Sequence, residues 1–159
     1  DIYENPKWPE EPLFYACVPS KTDSNVAPKG CENVFLLMPV APDLEGNEAL
    51  HQKYLDIMLQ RISDYTGESL SAKDILFKRA FAHQEFKDRY HAYKGNAYGL
   101  ANTLMQTAVF KPKMINPKIK NLVYAGQLTV PGPGIPPSII SGKLAAELTI
   151  KQLKKYPYA

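Results

Sequence analysis

Glycines and prolines between Gly126 and Ser138 form the most chemically informative stretch of the sequence. They separate a short apolar strand from a helical pattern, an order that directs a helix N-terminus and its free amides towards whatever lies beyond the strand. Pro137 suits the first helical turn, and Pro136 keeps the residue before it out of helical geometry. Because proline has no N–H, the predicted free donors are those of Gly134, Ile135, Ser138 and Ile139. Such donors favour an anion or an electron-rich ring.

Two interpretations of this Gly/Pro loop stay open from the residues alone. In the first it is a ligand cradle, because Gly126, Gly132 and Gly134 have no side chains that would keep a ligand from the backbone. Ser141 and Gly142 would then let the helix pack closely on the strand. In the second it is a simple connection, since glycine-rich turns also join strands to helices for conformational reasons. The loop does not contain the dinucleotide fingerprint GxGxxG.

A second polar group follows the predicted third strand and consists of His83, Glu85, Asp88 and His91. These residue types suggest acid–base chemistry or a metal site, but their spacing matches no known ligand pattern, and His51 lies far away on a helix. Polar clusters of this kind are common on protein surfaces. We therefore predict a solvent-exposed group and no metal.

Length and composition limit the fold. The 159 residues, 45% hydrophobic and 22% charged, predict one compact unit. The formal charge of +3 comes from lysines scattered among carboxylates, which argues against nucleic-acid binding. Cys17 and Cys31 are predicted to be reduced thiols. No apolar run reaches the length of a membrane span, and the start at Asp1 predicts a cut within a longer protein.

Hydrophobic periodicity and turn residues predict an α+β fold. Leu13–Val18 and Val34–Val40 are predicted to be antiparallel strands joined by a long loop. Asn47 precedes an amphipathic helix that ends before Gly67 and covers the antiparallel or mixed sheet. The other predicted elements are a strand over Ile75–Ala82, a helical turn over Gln84–Tyr90, an irregular stretch over Tyr93–Pro117, a buried strand over Asn121–Ala125 and a helix over Pro137–Lys154.

A series of motifs runs through the second half of the chain. It comprises Tyr93–Leu100, Gln106–Thr107, Phe110–Pro112, Ile119–Gly126, Pro131–Pro136 and Ser141–Lys143, and shorter matches precede it from Phe14–Tyr15 to Leu37–Val40. In order and spacing the series resembles the C-terminal part of the phytoene desaturases (phytoene dehydrogenases), which are flavin-dependent oxidoreductases. The resemblance spans nearly the whole chain.

The resemblance implies a fold and a cofactor. In that family an N-terminal Rossmann-type unit holds the adenosine half of FAD, and a C-terminal strand, loop and helix complete the site around the flavin. Carried over, residues 1–118 are a portion of the substrate domain, and residues 119–159 belong to the FAD-binding domain. The positions expected to contact FAD are Gly126, Gln127, Gly134, Ile135 and Pro136. Gln127 stands where many flavin oxidoreductases of this superfold carry an acidic residue.

The resemblance also implies an activity, the removal of hydride from a phytoene-type polyisoprene by FAD. It identifies no catalytic residue. Tyr98 and Phe110, with Phe81 and Tyr93, are candidates for lining a channel for the carotenoid, although aromatic residues in such positions are as often ordinary core.

The expected full-length protein is a cytoplasmic enzyme that rests on the inner surface of a membrane. The fragment alone is expected to be inactive and to bind little or no FAD. Carotenoid isomerases and oxygenases share the same scaffold and are an alternative, and a non-catalytic interaction domain is the alternative from another class.

Overall fold

The stretch predicted to be irregular, Tyr93–Pro117, contains the point at which the chain divides. The computed structural model describes residues 2, 4–101, 103–107 and 110–155. The chain forms two compact units, Asp1–Asn96 and Ala97–Ala159, so the expectation of one compact unit is wrong. The described residues form a two-stranded antiparallel sheet and three α-helices, which confirms the α+β class.

The sheet of the first unit is smaller than predicted. Strands β1 (Tyr15–Cys17) and β2 (Phe35–Leu37) pair antiparallel, as expected, but each keeps only three residues of its predicted run. Pro19 and Pro39 lie just beyond the strands and cannot donate to the ladder, which limits its length. Both cysteines, Cys17 and Cys31, are free thiols.

Helix α1 (Glu48–Thr66) lies where the sequence predicts it. The Oδ1 atom of Asn47 accepts a hydrogen bond of 2.8 Å from the Leu50 amide, which satisfies a donor left free at the helix start. Gly67 ends the helix with a φ of 76°, a left-handed conformation that favours glycine.

The buried side of α1 packs on the N-terminal segment rather than on the sheet. Tyr54 stacks on Trp8 with ring centroids 5.2 Å apart and donates its hydroxyl to Pro9 O at 2.7 Å. Tyr15 and Phe35 of the sheet are exposed. The prediction that α1 covers the sheet is therefore wrong, because the aromatic N-terminal segment offers more apolar surface than two three-residue strands.

Residues 75–82 contain no strand, so the predicted third strand is wrong. Leu76 and Phe77 are 83% and 82% exposed, and the segment is held instead by Lys78, which donates to Glu48 Oε1 at 2.8 Å. A strand needs a neighbouring edge of similar length, and no described residue pairs with this segment.

Helix α2 (His83–Tyr90) confirms the helical prediction for this stretch. His83 is only 7% exposed, with Nε2 2.7 Å from Ala41 O and its ring edge-on to Trp8 at 5.8 Å. Its predicted solvent exposure is wrong, because it fills the space between these two residues. Asp88 and His91 are exposed, as predicted. Within the described ranges, no group of three His, Cys, Asp or Glu side chains is placed to hold a metal.

Glu85 caps the start of α2 and should make the stability of the first unit depend on pH. Its Oε2 accepts a hydrogen bond of 2.8 Å from the Ala82 amide, and this bond lowers the pKa of Glu85 against the opposing effect of burial. Because the folded pKa lies below the unfolded one, the carboxylate stabilises the fold above its unfolded pKa, about 4.3. That stabilisation disappears as the pH falls through the folded pKa.

We expect Glu85→Gln to lower the melting temperature at pH 7, because glutamine keeps the acceptor oxygen but loses the charge that favours a helix N-terminus. The difference from the wild-type chain should shrink below about pH 4 as the native carboxylate becomes protonated. Glu11→Gln is the matched control, since this exposed side chain has no hydrogen bond or ion pair with any described residue. Identical pH profiles for the two variants would contradict the assignment.

The second unit is organised around helix α3 (Ile135–Lys155), which begins two residues before its predicted start. Pro136 and Pro137 both fit its first turn, where no N–H is needed for intrahelical bonding. No helix in the described part of the chain is both long and apolar enough to cross a bilayer.

Candidate functional site

A short hairpin leads into the Gly/Pro loop. Residues 114–116 pair with residues 122–124 through one antiparallel bridge, Ile115 to Val123, and two backbone hydrogen bonds of 2.7 and 3.0 Å. The predicted buried strand Asn121–Ala125 is therefore wrong in extent and burial, since Leu122 and Tyr124 are exposed. A continuous strand needs a ladder along its length, and only this one bridge is made by the residues that are described.

Thr129 and Ser141 join the start of the loop to α3. Ser141 is fully buried, and its Oγ accepts a hydrogen bond of 2.9 Å from the Gly126 amide. Thr129 Oγ1 donates to Gly126 O at 3.1 Å, so the 3.0 Å contact between the two hydroxyls has Ser141 as its donor. The resulting network fixes the turn from Gly126 to Thr129 against the helix.

Gly142 has no part in this close approach. Apart from its chain neighbours and the backbone of its own helix, no described atom lies within 4 Å of the position that a Cβ would occupy there. Its predicted role in close packing is wrong, because it follows Ser141 onto the exposed side of α3.

An open groove of about 520 Å³ lies at the start of α3. It is lined by Ala97, Tyr98, Gln127, Gly134, Ile135, Ser138 and Ile139, all within the second unit. Three of the positions expected to contact FAD (Gln127, Gly134, Ile135) thus share one surface with Tyr98, which was expected to contact the carotenoid.

The other predicted positions lie elsewhere. Gly126 has its amide bound to Ser141, and Pro136 and Phe110 are exposed outside the lining. Phe81 is 38% exposed and packs edge-on against Phe86, with ring centroids 4.8 Å apart. Tyr93 is exposed.

Tyr98 is positioned by its neighbour. A Cβ on Gly99 would come within 2.5 Å of Leu128 Cδ2 and 3.8 Å of Gln127 Cγ. The backbone after Tyr98 therefore lies directly against the residues that follow Gly126, which brings Tyr98 and Gln127 to the same groove.

The amides at the helix start are fewer than predicted. Ser138 donates its amide to Gly134 O at 3.0 Å and is therefore not free. Ile139 lies further into the helix, where amides are used for intrahelical bonds. Among the described residues, the amides of Gly134 and Ile135 make no backbone hydrogen bond. Two of the four predicted donors are left.

Three lining residues were not predicted to offer side chains to the site: Ala97, Ser138 and Ile139. The side chains of Ser138 and Ile139 reach the groove because these residues lie one turn beyond Gly134 and Ile135 on the same helical face. That periodicity is the signal that would have found them. The Thr129–Ser141 link has no comparable signal, because a serine in a helix and a threonine in a loop are individually ordinary.

No protein-family model matches the chain. It is 42% identical over 153 residues to a carotenoid 3,4-desaturase of Haloarcula japonica, covering 96% of this chain and 31% of that protein. It is 30% identical over 160 residues to a 4,4'-diapophytoene desaturase (4,4'-diaponeurosporene-forming) of Staphylococcus haemolyticus, covering 97% of this chain and 32% of that protein. A desaturase of the same name from Staphylococcus aureus is 30% identical over 152 residues, covering 91% of this chain and 30% of that protein.

These similarities extend along almost the entire sequence and lead to proteins of one kind. The chain spans about a third of the length of the curated relatives it matches, in their C-terminal part. The motifs from Tyr93 to Lys143 that resemble phytoene desaturases lie within the matched region. The chain is therefore homologous to carotenoid desaturases and corresponds to their C-terminal part.

Proposed function

We propose that the chain is the C-terminal part of a FAD-dependent carotenoid desaturase and that its groove receives the flavin ring. The observation that carries the proposal is the convergence of Gln127, Gly134 and Ile135 on one surface. In this proposal, residues 119–159 belong to the FAD-binding domain, and residues 1–118 are a portion of the substrate domain.

The lining of the groove fits a planar, electron-rich ring. Ile135 and Ile139 are exposed and offer apolar contacts, while Gln127 and the Gly134 and Ile135 amides offer hydrogen bonds. A volume of about 520 Å³ is within the usual range for cofactor pockets. The two prolines of the first turn remove N–H groups that a phosphate would use, which favours a ring over a diphosphate at this position.

When bound, FAD supplies the hydride acceptor for desaturation. The residues of the chain then orient the ring and stabilise charge. The positive end of the α3 dipole and the amides of Gly134 and Ile135 favour negative charge on the ring edge nearest to them. Tyr98 and Ile139 exclude water from the adjoining surface. Among the described residues that line the groove there is no carboxylate or histidine, so its lining supplies binding and orientation rather than an acid or a base.

The proposed substrate is a carotenoid precursor with a long polyisoprene chain. The relatives are named for desaturation of carotenoids and diapophytoene, and these names favour a desaturase over an isomerase or oxygenase. A substrate of this kind dissolves in lipid, so we propose that the full-length protein is cytoplasmic and works at the inner surface of a membrane. Tyr98 would lie on the substrate side of the ring.

The test is to purify the full-length protein, measure bound flavin by its absorbance, and incubate it with phytoene. We expect products with longer conjugated chains, separated by chromatography and identified by their absorption spectra. Products that are only isomerised or oxygenated, or a full-length protein that takes up no FAD, would contradict the proposal. The 159-residue chain alone is expected to bind little FAD and to form no product.

A further inference from the structure

Charge is divided unequally between the two units. Residues 97–159 contain eight lysines, no arginine and one carboxylate, Glu147, so eight positive charges against one negative give +7. The whole chain carries +3, which leaves −4 for residues 1–96. The expectation that lysines are scattered among carboxylates is therefore wrong for the second unit. A field of this sign attracts anionic surfaces.

Half of these lysines lie in one hairpin, residues 111–124, which we call the lysine hairpin. It contains Lys111, Lys113, Lys118 and Lys120 and no carboxylate. No ion pair joins any of these four to a carboxylate in the described ranges. Their charges are therefore available to an external anion.

The tip of the lysine hairpin presents an apolar side chain between two charges. Asn116 Oδ1 accepts the amides of Lys118 and Ile119 at 2.9 Å each, which fixes the turn. Ile119 is exposed, as are Lys118 and Lys120 on either side of it. Basic residues around an exposed apolar side chain are typical of surfaces that enter the headgroup layer of a membrane.

Lys111 gives separate evidence that an anion binds to the lysine hairpin. It is 8% exposed, and its stem packs beside Gly132, where a Cβ would lie 3.4 Å from its Cε. No described residue accepts a hydrogen bond from its ammonium group. With Lys113, Met114, Val130 and Leu148 it lines a groove of about 360 Å³. The stem of Lys111 is therefore held in place, and its ammonium group, which has no acceptor among the described residues, can receive an anion that enters the groove.

We propose that the lysine hairpin binds the phosphate headgroups of an anionic membrane. Lys111 and Lys113 receive one headgroup in the groove, Met114, Val130 and Leu148 contact its acyl region, and the Lys118–Lys120 tip enters the neighbouring headgroup layer. The apolar lining and Ile119 favour a lipid over a free phosphate. This inference rests on the proposed peripheral membrane association and names the surface responsible.

The test is co-sedimentation of the full-length protein with vesicles of phosphatidylcholine alone or with added phosphatidylglycerol. We expect binding to the anionic vesicles that weakens as salt is raised. Lys118→Gln/Lys120→Gln should weaken it about 25-fold, since one lysine near such a surface contributes about fivefold. The control, Lys53→Gln/Lys73→Gln, removes the same charge from exposed positions of the first unit and should change binding little.

A separate variant tests the groove. Lys111→Met keeps an unbranched stem and removes the charge, so it should weaken vesicle binding about fivefold while leaving the melting temperature near that of the native protein. Equal binding by the tip and control variants, equal binding to neutral vesicles, or sedimentation without vesicles through self-association would each overturn the proposal. Bound FAD is measured in the same samples. Because neither the tip nor Lys111 lines the flavin groove, a loss of vesicle binding with normal FAD occupancy concerns the lysine hairpin alone, whereas a native protein without FAD contradicts the proposed flavin site.

Discussion

The Gly134→Val substitution is expected to leave the full-length protein with little bound FAD. Gly134 has a φ of 108°, a conformation that a β-branched residue adopts only with strain of about 1–3 kcal/mol. If the loop relaxes to relieve that strain, the Gly134 and Ile135 amides leave the groove, and the affinity for FAD falls roughly 5- to 150-fold. The valine side chain would also occupy space that the ring needs. The measurement is flavin bound per protein, determined by absorbance after gel filtration.

A matched pair of alanine variants separates this effect from a general loss of stability. Gly134→Ala introduces the strain with the smallest side chain, whereas Gly142→Ala places the same methyl group in the middle of α3, where nothing lies within 4 Å. Gly142→Ala should retain FAD and raise the free energy of unfolding by about 0.5–1 kcal/mol, because alanine favours a helix. Full FAD occupancy in a folded Gly134→Val protein would remove the flavin assignment of the groove.

Local signals explain what the sequence predicted correctly. Asn47 and Gly67 give α1 a start and an end through interactions with residues at most a turn away, so neighbouring residues suffice to place it. The same is true of the convergence of Gln127, Gly134 and Ile135, because a strand end, a loop and a helix start are adjacent in sequence. The resemblance names these residues as FAD contacts, which stays a prediction, and short-range geometry brings them to one groove.

Elements that need a distant partner could not be predicted in the same way. Ile75–Ala82 and Asn121–Ala125 have residues suited to strands, but β propensity expresses packing against neighbouring strands. Where the described residues supply no ladder, the first segment has no strand and the second keeps one bridge. The packing of α1 on the N-terminal segment likewise depends on Trp8, which is distant from the helix in sequence. Nothing in the residues around Trp8 indicates that Tyr54 is its stacking partner.

The helix itself competes for the amides at the start of α3, which explains why fewer of them are free than predicted. The loop was expected to offer four amides, but the helix begins at Ile135 and so uses the Ser138 amide for its own first turn. The preference of Pro136 for a non-helical residue before it is a local steric effect. In this chain the gain from extending the helix outweighs it, and two amides remain.

The Thr129–Ser141 link predicts a large and specific effect on stability. Ser141→Ala would leave the partly buried Gly126 amide without its acceptor, and an unsatisfied buried donor costs about 1–3 kcal/mol. We expect a decrease of that size in the free energy of unfolding, measured with denaturant, and faster hydrogen exchange at the Gly126 amide. Thr149→Ala is the control on the same helix, because its exposed hydroxyl bonds only to Ala145 O and its loss should change stability little.

A double-mutant cycle with Thr129→Val distinguishes a network from two separate contacts. Ser141 donates to Thr129, which in turn donates to Gly126 O, so either substitution removes the bond between the hydroxyls. The double variant should therefore lose less stability than the sum of the single variants, with a coupling of about 0.5–3 kcal/mol. If the losses simply add, Gly126 is held by Ser141 alone. If they do couple, the turn from Gly126 to Thr129, which carries Gln127, depends on both hydroxyls. Each single variant should then also weaken FAD binding in the full-length protein, although neither side chain lines the groove.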